Sequence, residues 1–415
     1  GGPGPGATGP AAAAPATKSP VEVGVVIFPD VNAFAAQFGG SADVGNQRQE
    51  VLDAVAWVNT HGGLNGHRVV PVFFEVELTS TDTYAQTYQQ ICSTFTQDHK
   101  VVAAILVGNA EPGLPACLRK AGSLFLTHGH YLRDASDYRQ LTNIVTPEDA
   151  GSRRVARAMV DQMLAKGLLK SGDKLGLMVM NYNGPRKARD EIIVPLLKAK
   201  GIGVVSYEVP YPQSTADISN SAAAVQSAQL RMAAEGIKTV AFLCPGCVSF
   251  FMTDAESQGY YPKYVVSSYD TIGGAKGQGH SRSFAGALGI GYDPIRDVGT
   301  YADPRPLAGN DTYALCRTVE KAHIKDDTTN FAAQAFCGAV LDLHAAARAN
   351  PVEPLTGASL MGGFDRLGST HDGAANFATQ LGPDRRDGVA AYRPMHYDPA
   401  LDAFRYDSGP LVRFS

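Results

Sequence analysis

Short apolar runs in this chain end abruptly in polar residues, and a helical pattern follows each. VEVGVVIFPD from Val21, VVAAILVGNAE from Val101, KLGLMVMNYN from Lys174, TVAFLCPGC from Thr239 and YVVSSYD from Tyr264 share this form. Strands covered by helices on both faces read as continuous Val/Ile/Leu runs instead of alternating. The pattern therefore predicts an α/β fold with parallel sheets. Ligands of open parallel sheets bind beyond the carboxyl ends of the strands. The strand ends thus form a list of candidate contact residues.

Between the strands, Val51, Leu52, Val55, Ala56 and Val58 give a broad apolar helix face that Gly62 and Gly63 terminate. Asn65-Gly66 predicts a tight turn into RVVPVFFEVEL. Further helices are expected near 81–95, 114–121, 186–200, 217–236, 248–258, 312–323 and 330–348. Another ends near Gly167, with Thr146 or Glu148 as its cap. SLFLTHG, VVSYEVP and FAGALGIGY read as strands, and the C-terminus as strand–turn–strand. No repeat of 20–50 residues is visible, which excludes a solenoid.

At 415 residues the chain exceeds one ordinary core and suits two domains. The charge is nearly balanced, 36 Lys and Arg against 40 Asp and Glu. No basic patch supports binding to nucleic acid. No apolar run has the length of a membrane span. The first twenty residues, GGPGPGATGPAAAAPATKSP, bury too little to fold. They read as a disordered tether over 1–20, of the kind that holds a lipoprotein to the outer face of a membrane, or in part as cloning residue.

Six cysteines allow fifteen pairings. Local pairing is favoured: Cys92 with Cys117, Cys244 with Cys247, and Cys316 with Cys337. Disulfides persist in oxidising compartments, so an extracytoplasmic, tethered or periplasmic location is expected. Pro245-Gly246 fits a type II turn whose ends approach closely enough for a bridge. A redox role for Cys244 and Cys247 is the alternative. It needs a thioredoxin-like setting that is only partly met.

VEVGVVIFP, followed by the helix and turn of AWVNTHGGLNGHRVVPVFFE, resembles the opening of the type 1 periplasmic binding proteins. Within them it is most similar to the leucine/isoleucine/valine-binding family of ABC-transporter solute receptors. ILVGN, LFLTHGH, TPEDAGSRRVA and Asn181–Gly184 support the resemblance, which covers 21–414. It implies two doubly wound parallel-sheet lobes joined by three crossover strands, with a solute bound between them. The lobes would be 21–144 plus 274–388, and 145–273 plus 389–415. Cys92 and Cys117 also match a disulfide common in that family.

The first-lobe strand ends then offer Asn32 and Phe34, Gly108, Asn109, Ala110 and Glu111, and Thr127 and His128. Glu111 equally suits the first turn of the following helix. His128 and His130 flank a glycine, but no third ligand accompanies them, so no metal is expected. The second lobe offers Asn181, Tyr182, Cys247, Tyr269 and Asp270. Tyr182 is a candidate clamp on a ligand, or packs on Pro185. Asp270 faces the cleft or caps the next turn. The loop CPGCVSF lacks the carboxylate with which amino-acid receptors of the family hold an ammonium group. The first-lobe Ser/Thr cluster that binds a carboxylate is replaced by Gly108–Glu111. With Phe34, Tyr182, Phe250 and Tyr269 near the rim, an apolar or aromatic solute is as well supported as an amino acid.

The expectation is a monomeric solute-binding protein that needs no cofactor and delivers a small organic molecule to an ABC permease. An extracellular sensor that signals to a membrane partner is the alternative. The hydrolase, metalloprotease and phosphate-loop motifs of enzymes are missing. Gly273–Gly279 matches a phosphate loop only loosely.

Overall fold

The computed structural model describes residues 14–36, 45–108, 113–129, 131–270, 281–298, 309–320 and 331–415. The first sheet contains β1 (Lys18–Ile27), β2 (His67–Glu75), β3 (Ala103–Val107), β4 (Leu124–His128) and β5 (Ile144–Val145). Its order is β2-β1-β3-β4-β5, with every pair parallel. The second sheet begins with β6 (Lys174–Met180), β7 (Gly203–Val209), β8 (Thr239–Leu243) and β9 (Lys263–Ser267). It continues with β10 (Leu288–Gly291), β11 (Ala391–Asp398), β12 (Ala403–Tyr406) and β13 (Val412–Arg413). The order is β12-β11-β10-β9-β8-β6-β7, with β13 beside β11. The pairs from β7 to β10 are parallel, and β11 joins antiparallel.

Each sheet feeds two cores, because successive side chains point to opposite faces. In β1, Val23, Val25 and Ile27 enter one core and Val26 the other. In β8, Ala241 and Leu243 face one side, Val240 and Phe242 the other. This double burial is why the strands are continuous apolar runs. Helix Gln47–Thr60 packs Val51, Ala54, Val55 and Val58 on the first sheet. The turn after it holds Asn65 at φ 52° and Gly66 at φ 87°, the left-handed pair an Asn-Gly turn requires. No helix among the described residues is long and apolar enough to cross a membrane.

The chain passes between the sheets three times: after β5, after β10 and before β11. The second passage differs from the expected lobe boundary at 274. Leu288 pairs with Val265 of β9, so β10 completes the second sheet instead of opening a return to the first. Helix Phe331–Ala349 does pack on the first sheet, through Phe336, Val340 and Leu343. The C-terminal strands lie in the second sheet.

Two further readings are corrected. The tether expected over 1–20 lies outside the described residues only as far as 13; Lys18–Pro20 already belong to β1. Ala16 and Lys18 donate backbone hydrogen bonds to Asn59 O and Gly66 O, at 3.0 and 2.9 Å. The backbone of 16–18 thus finds partners despite its weak composition. Thr146 and Glu148 do not cap the helix at Ser152–Ala165, whose N-cap is Gly151. Glu148 instead accepts from Ala375 N and Asn376 Nδ2 at 3.0 and 2.7 Å. Thr146 bonds to Tyr138 Oη and Arg386 O.

Candidate functional site

The carboxyl ends of the strands in both sheets converge on one cavity of about 380 Å³. β1 supplies Val26 and then Phe28, and β3 supplies Leu106. The helix after β1, Val31–Ala36, adds Val31 and Phe34. From the second sheet come Met180 at the end of β6, Tyr211 and Pro212 after β7, and Pro245 after β8. Among the described residues that line this cavity, no side chain is charged. Its volume is in the range that holds small organic ligands, and its lining suits an apolar or aromatic one.

Direct contacts between the two halves close one side of the cavity. Tyr84 N donates to Gln213 O at 2.8 Å, and Thr215 Oγ1 to Leu78 O at 2.6 Å. Thr83 and Ser214 form an antiparallel bridge. Asp30 braces this latch by accepting from Leu78 N and from Thr79 N and Oγ1, all at 3.1 Å.

A tyrosine cluster stands beside the cavity, which Tyr211 lines. Tyr182 stacks on Tyr131, with ring centroids 4.3 Å apart, and Tyr211 meets both edge-on. The Tyr182 hydroxyl accepts from Leu132 N at 2.8 Å and pairs with the Tyr269 hydroxyl. Burial pushes both phenols well above their ordinary pKa, so both stay neutral hydrogen-bonding groups.

The sequence-derived candidates divide into four groups. Phe34 lines the cavity. Tyr182 and Tyr269 stand beside it, joined to each other and to the opposite lobe rather than set as a free clamp. Asn109, Ala110, Glu111 and the side chain of Asn32 lie outside the described residues, as does His130. The others are engaged in the scaffold. Gly108 donates to His128 O at 2.8 Å and accepts from Thr127 Oγ1 at 3.2 Å. His128 is buried, with Nε2 3.8 Å from Asp293 Oδ2. Asn181 is exposed and accepts from Arg186. Asp270 is buried and accepts from Ser267 N, Ser267 Oγ and Cys244 N. Burial outweighs those three donors and raises its pKa to about 8. Phe250 packs on the core of the second sheet.

All three expected disulfides are present: Cys92–Cys117, Cys244–Cys247 and Cys316–Cys337. Gly246 sits at φ 74° and Cys247 N donates to Cys244 O, as the Pro-Gly turn predicted. The bridged turn places Pro245, not Cys247, against the cavity. The sequence reading missed Phe28, Leu106, Met180 and Tyr211. Tyr211 follows the strand VVSYEVP, an end that carried the same signal but no obvious polar tip.

A family profile described as periplasmic binding protein matches residues 34–398. No curated protein matches the chain. Solved structures match its fold over nearly its whole length. A possible leucine/isoleucine/valine-binding protein from Rhodopirellula baltica is 14% identical, with a TM-score of 0.65, covering 95% of this chain and 98% of its own. A fatty acid ABC transporter substrate-binding protein from Thermomonospora curvata is 14% identical, with a TM-score of 0.64, covering 97% and 94%. A solute-binding protein of an ABC transporter from R. palustris, in complex with 4-hydroxybenzoate, is 14% identical, with a TM-score of 0.66, covering 96% and 98%.

Proposed function

This chain belongs to the periplasmic binding protein family, and from that premise we propose that it is an extracytoplasmic solute-binding protein of an ABC importer. It holds one apolar or aromatic small molecule, noncovalently, in the cavity between its lobes and delivers it to a membrane permease. The observation that carries this reading is the lining: Phe28, Phe34 and Leu106 face Met180, Tyr211 and Pro245 across the gap, without a charged side chain among the described residues. A zwitterionic amino acid buried there would leave its ammonium and carboxylate without partners, at a cost of several kcal/mol. An aromatic ring or alkyl chain instead gains about 25 cal/mol per Å² of surface removed from water. The structural relatives named for a fatty acid and for 4-hydroxybenzoate lend support.

The latch that joins 78–84 to 213–215 supports lobe closure, since separating the lobes would break it. The three passages between the sheets act as the hinge. The three disulfides support an oxidising compartment. We propose the Gly/Pro/Ala segment ahead of residue 14 as the tether to a membrane anchor.

Native mass spectrometry of freshly purified protein should find a co-purified small molecule without a zwitterionic head group. Melting curves with 4-hydroxybenzoate, a medium-chain fatty acid and leucine should then separate the classes. A ligand at 100 times its Kd stabilises by about 2.7 kcal/mol, a readily measured shift. If leucine alone raises the melting temperature, or solutes of every class leave it unchanged, the proposal fails.

A further inference from the structure

A second cavity, of about 730 Å³, lies at the hinge. It does not share a lining residue with the solute cavity. Three segments meet there: helix Ala135–Gln140, the start of helix Ser152–Ala165, and residues 383–387 of the third passage. Its lining carries five arginines, Arg139, Arg153, Arg154, Arg385 and Arg386, with Asp384 and Asp387, and Arg153 is paired with Asp134 and Glu191.

Arg154 and Arg386 are mostly buried and Arg385 is half-buried. Arg154 pairs with Asp387, and Arg386 with Asp365. Arg385 donates to a carbonyl, Val389 O, at 3.0 Å. Buried nitrogens of Arg385 (Nε) and Arg386 (Nη1) have no hydrogen-bond partner. Burial and the neighbouring Arg154 lower the Arg385 pKa to about 10. Arg139 and Arg385 are thus the two without an ion-pair partner among the described residues, and a half-buried cation such as Arg385 is costly unless a counter-charge sits beside it. The 14-residue helix at Ser152 points its N-terminus into the same space, with no side-chain cap at Gly151. The Ser152 side chain is fully buried in this lining, and its hydroxyl has no partner. Helix N-termini favour anions through their free N–H groups and dipole.

We propose that this hinge cavity binds a free phosphate-class dianion, held by Arg385, Arg386 and Arg139 at the N-terminus of helix Ser152–Ala165. Its walls come from both lobes and a connecting passage. Occupancy therefore favours the arrangement in which they converge and couples anion to lobe closure. The site is independent of the identity of the solute.

The test uses the whole protein and inorganic phosphate. Calorimetric titration should show saturable uptake of one phosphate per chain, and melting should rise above a chloride control of equal ionic strength. Arg385→Gln should weaken the affinity about tenfold or more, as loss of a charge-assisted donor does. Arg139 is exposed, so Arg139→Gln keeps the test valid if Arg385→Gln misfolds; it should weaken uptake in the same direction. A response to phosphate no larger than to chloride, or one undiminished in both variants, overturns the site. Binding to vesicles containing phosphatidylglycerol without a response to free phosphate also overturns it, and assigns the arginines to a lipid headgroup.

Discussion

Gly184→Ala separates the stability of each lobe from the docking of one lobe on the other. Gly184 lies in the first turn of helix Asn183–Ala188 of the second lobe. A Cβ there would stand 1.7 Å from Leu132 O and 2.7 Å from Leu132 C, in the backbone of the first lobe. An ordinary carbon–oxygen contact is about 3.3 Å, so the two lobes must separate locally by about 1.6 Å. No rotamer relieves this, because both sides are backbone. The hydrogen bond from Leu132 N to the Tyr182 hydroxyl, 2.8 Å long, stretches beyond its range. Losing the partner of a buried N–H costs about 1–3 kcal/mol, and the residual overpacking costs about 1–3 kcal/mol. A total of about 2–6 kcal/mol weakens closure roughly 30- to 20,000-fold. The helix itself does not suffer, since alanine is the better helix former by about 1 kcal/mol. The expected result is a larger radius of gyration by small-angle scattering and faster hydrogen exchange at the Leu132 amide, with far-ultraviolet circular dichroism unchanged. If scattering and Leu132 exchange both match the parent protein, the closed contact at Gly184 is not the one that holds the lobes together.

Phe34→Asp puts a charge into the apolar lining at a half-buried position. Solute affinity should fall more than tenfold by calorimetry while melting of the unliganded protein changes little. Asp270 keeps its proton in the folded chain up to about pH 8, whereas the unfolded chain releases it near the ordinary 3.8. Stability should be full below about pH 4 and decline as pH rises to about 8. Asp297, also raised to about 8 by burial and by Asp293, adds a loss of the same sign. Urea midpoints across this range should slope downward, and Asp270→Asn should flatten part of the slope; an upward slope would reject the assignment. Cys316 and Cys337 are 21 residues apart. Replacing both with serine should cost about 3 kcal/mol by chain entropy, read as a lower urea midpoint, and intact mass after alkylation should show no free thiol in the parent protein.

The order of strands and helices was legible in the sequence because a parallel strand covered on both faces has no position for polar residues. VVAAILV and KLGLMVM admit hardly any other reading, and their polar ends mark where each sheet meets the cleft. The apolar lining of the cavity was legible only at Phe34, since Phe28, Leu106 and Met180 carry no polar tip to mark them, whereas the three disulfide pairings followed from closeness in the chain. Tertiary structure alone decided which sheet each element joins. The run around Leu288–Gly291 has the same composition whichever sheet it completes; pairing with β9 sends it to the second. The same holds for polar residues at the strand ends. Nothing local distinguishes Asp270, turned inward onto Ser267 and Cys244, from a residue facing a solute. Tyr182 has the chemistry of a ligand clamp, but its partner is Leu132, fifty positions earlier in the chain. A side chain's type sets the contacts it can make, and only the packing of distant segments selects among them.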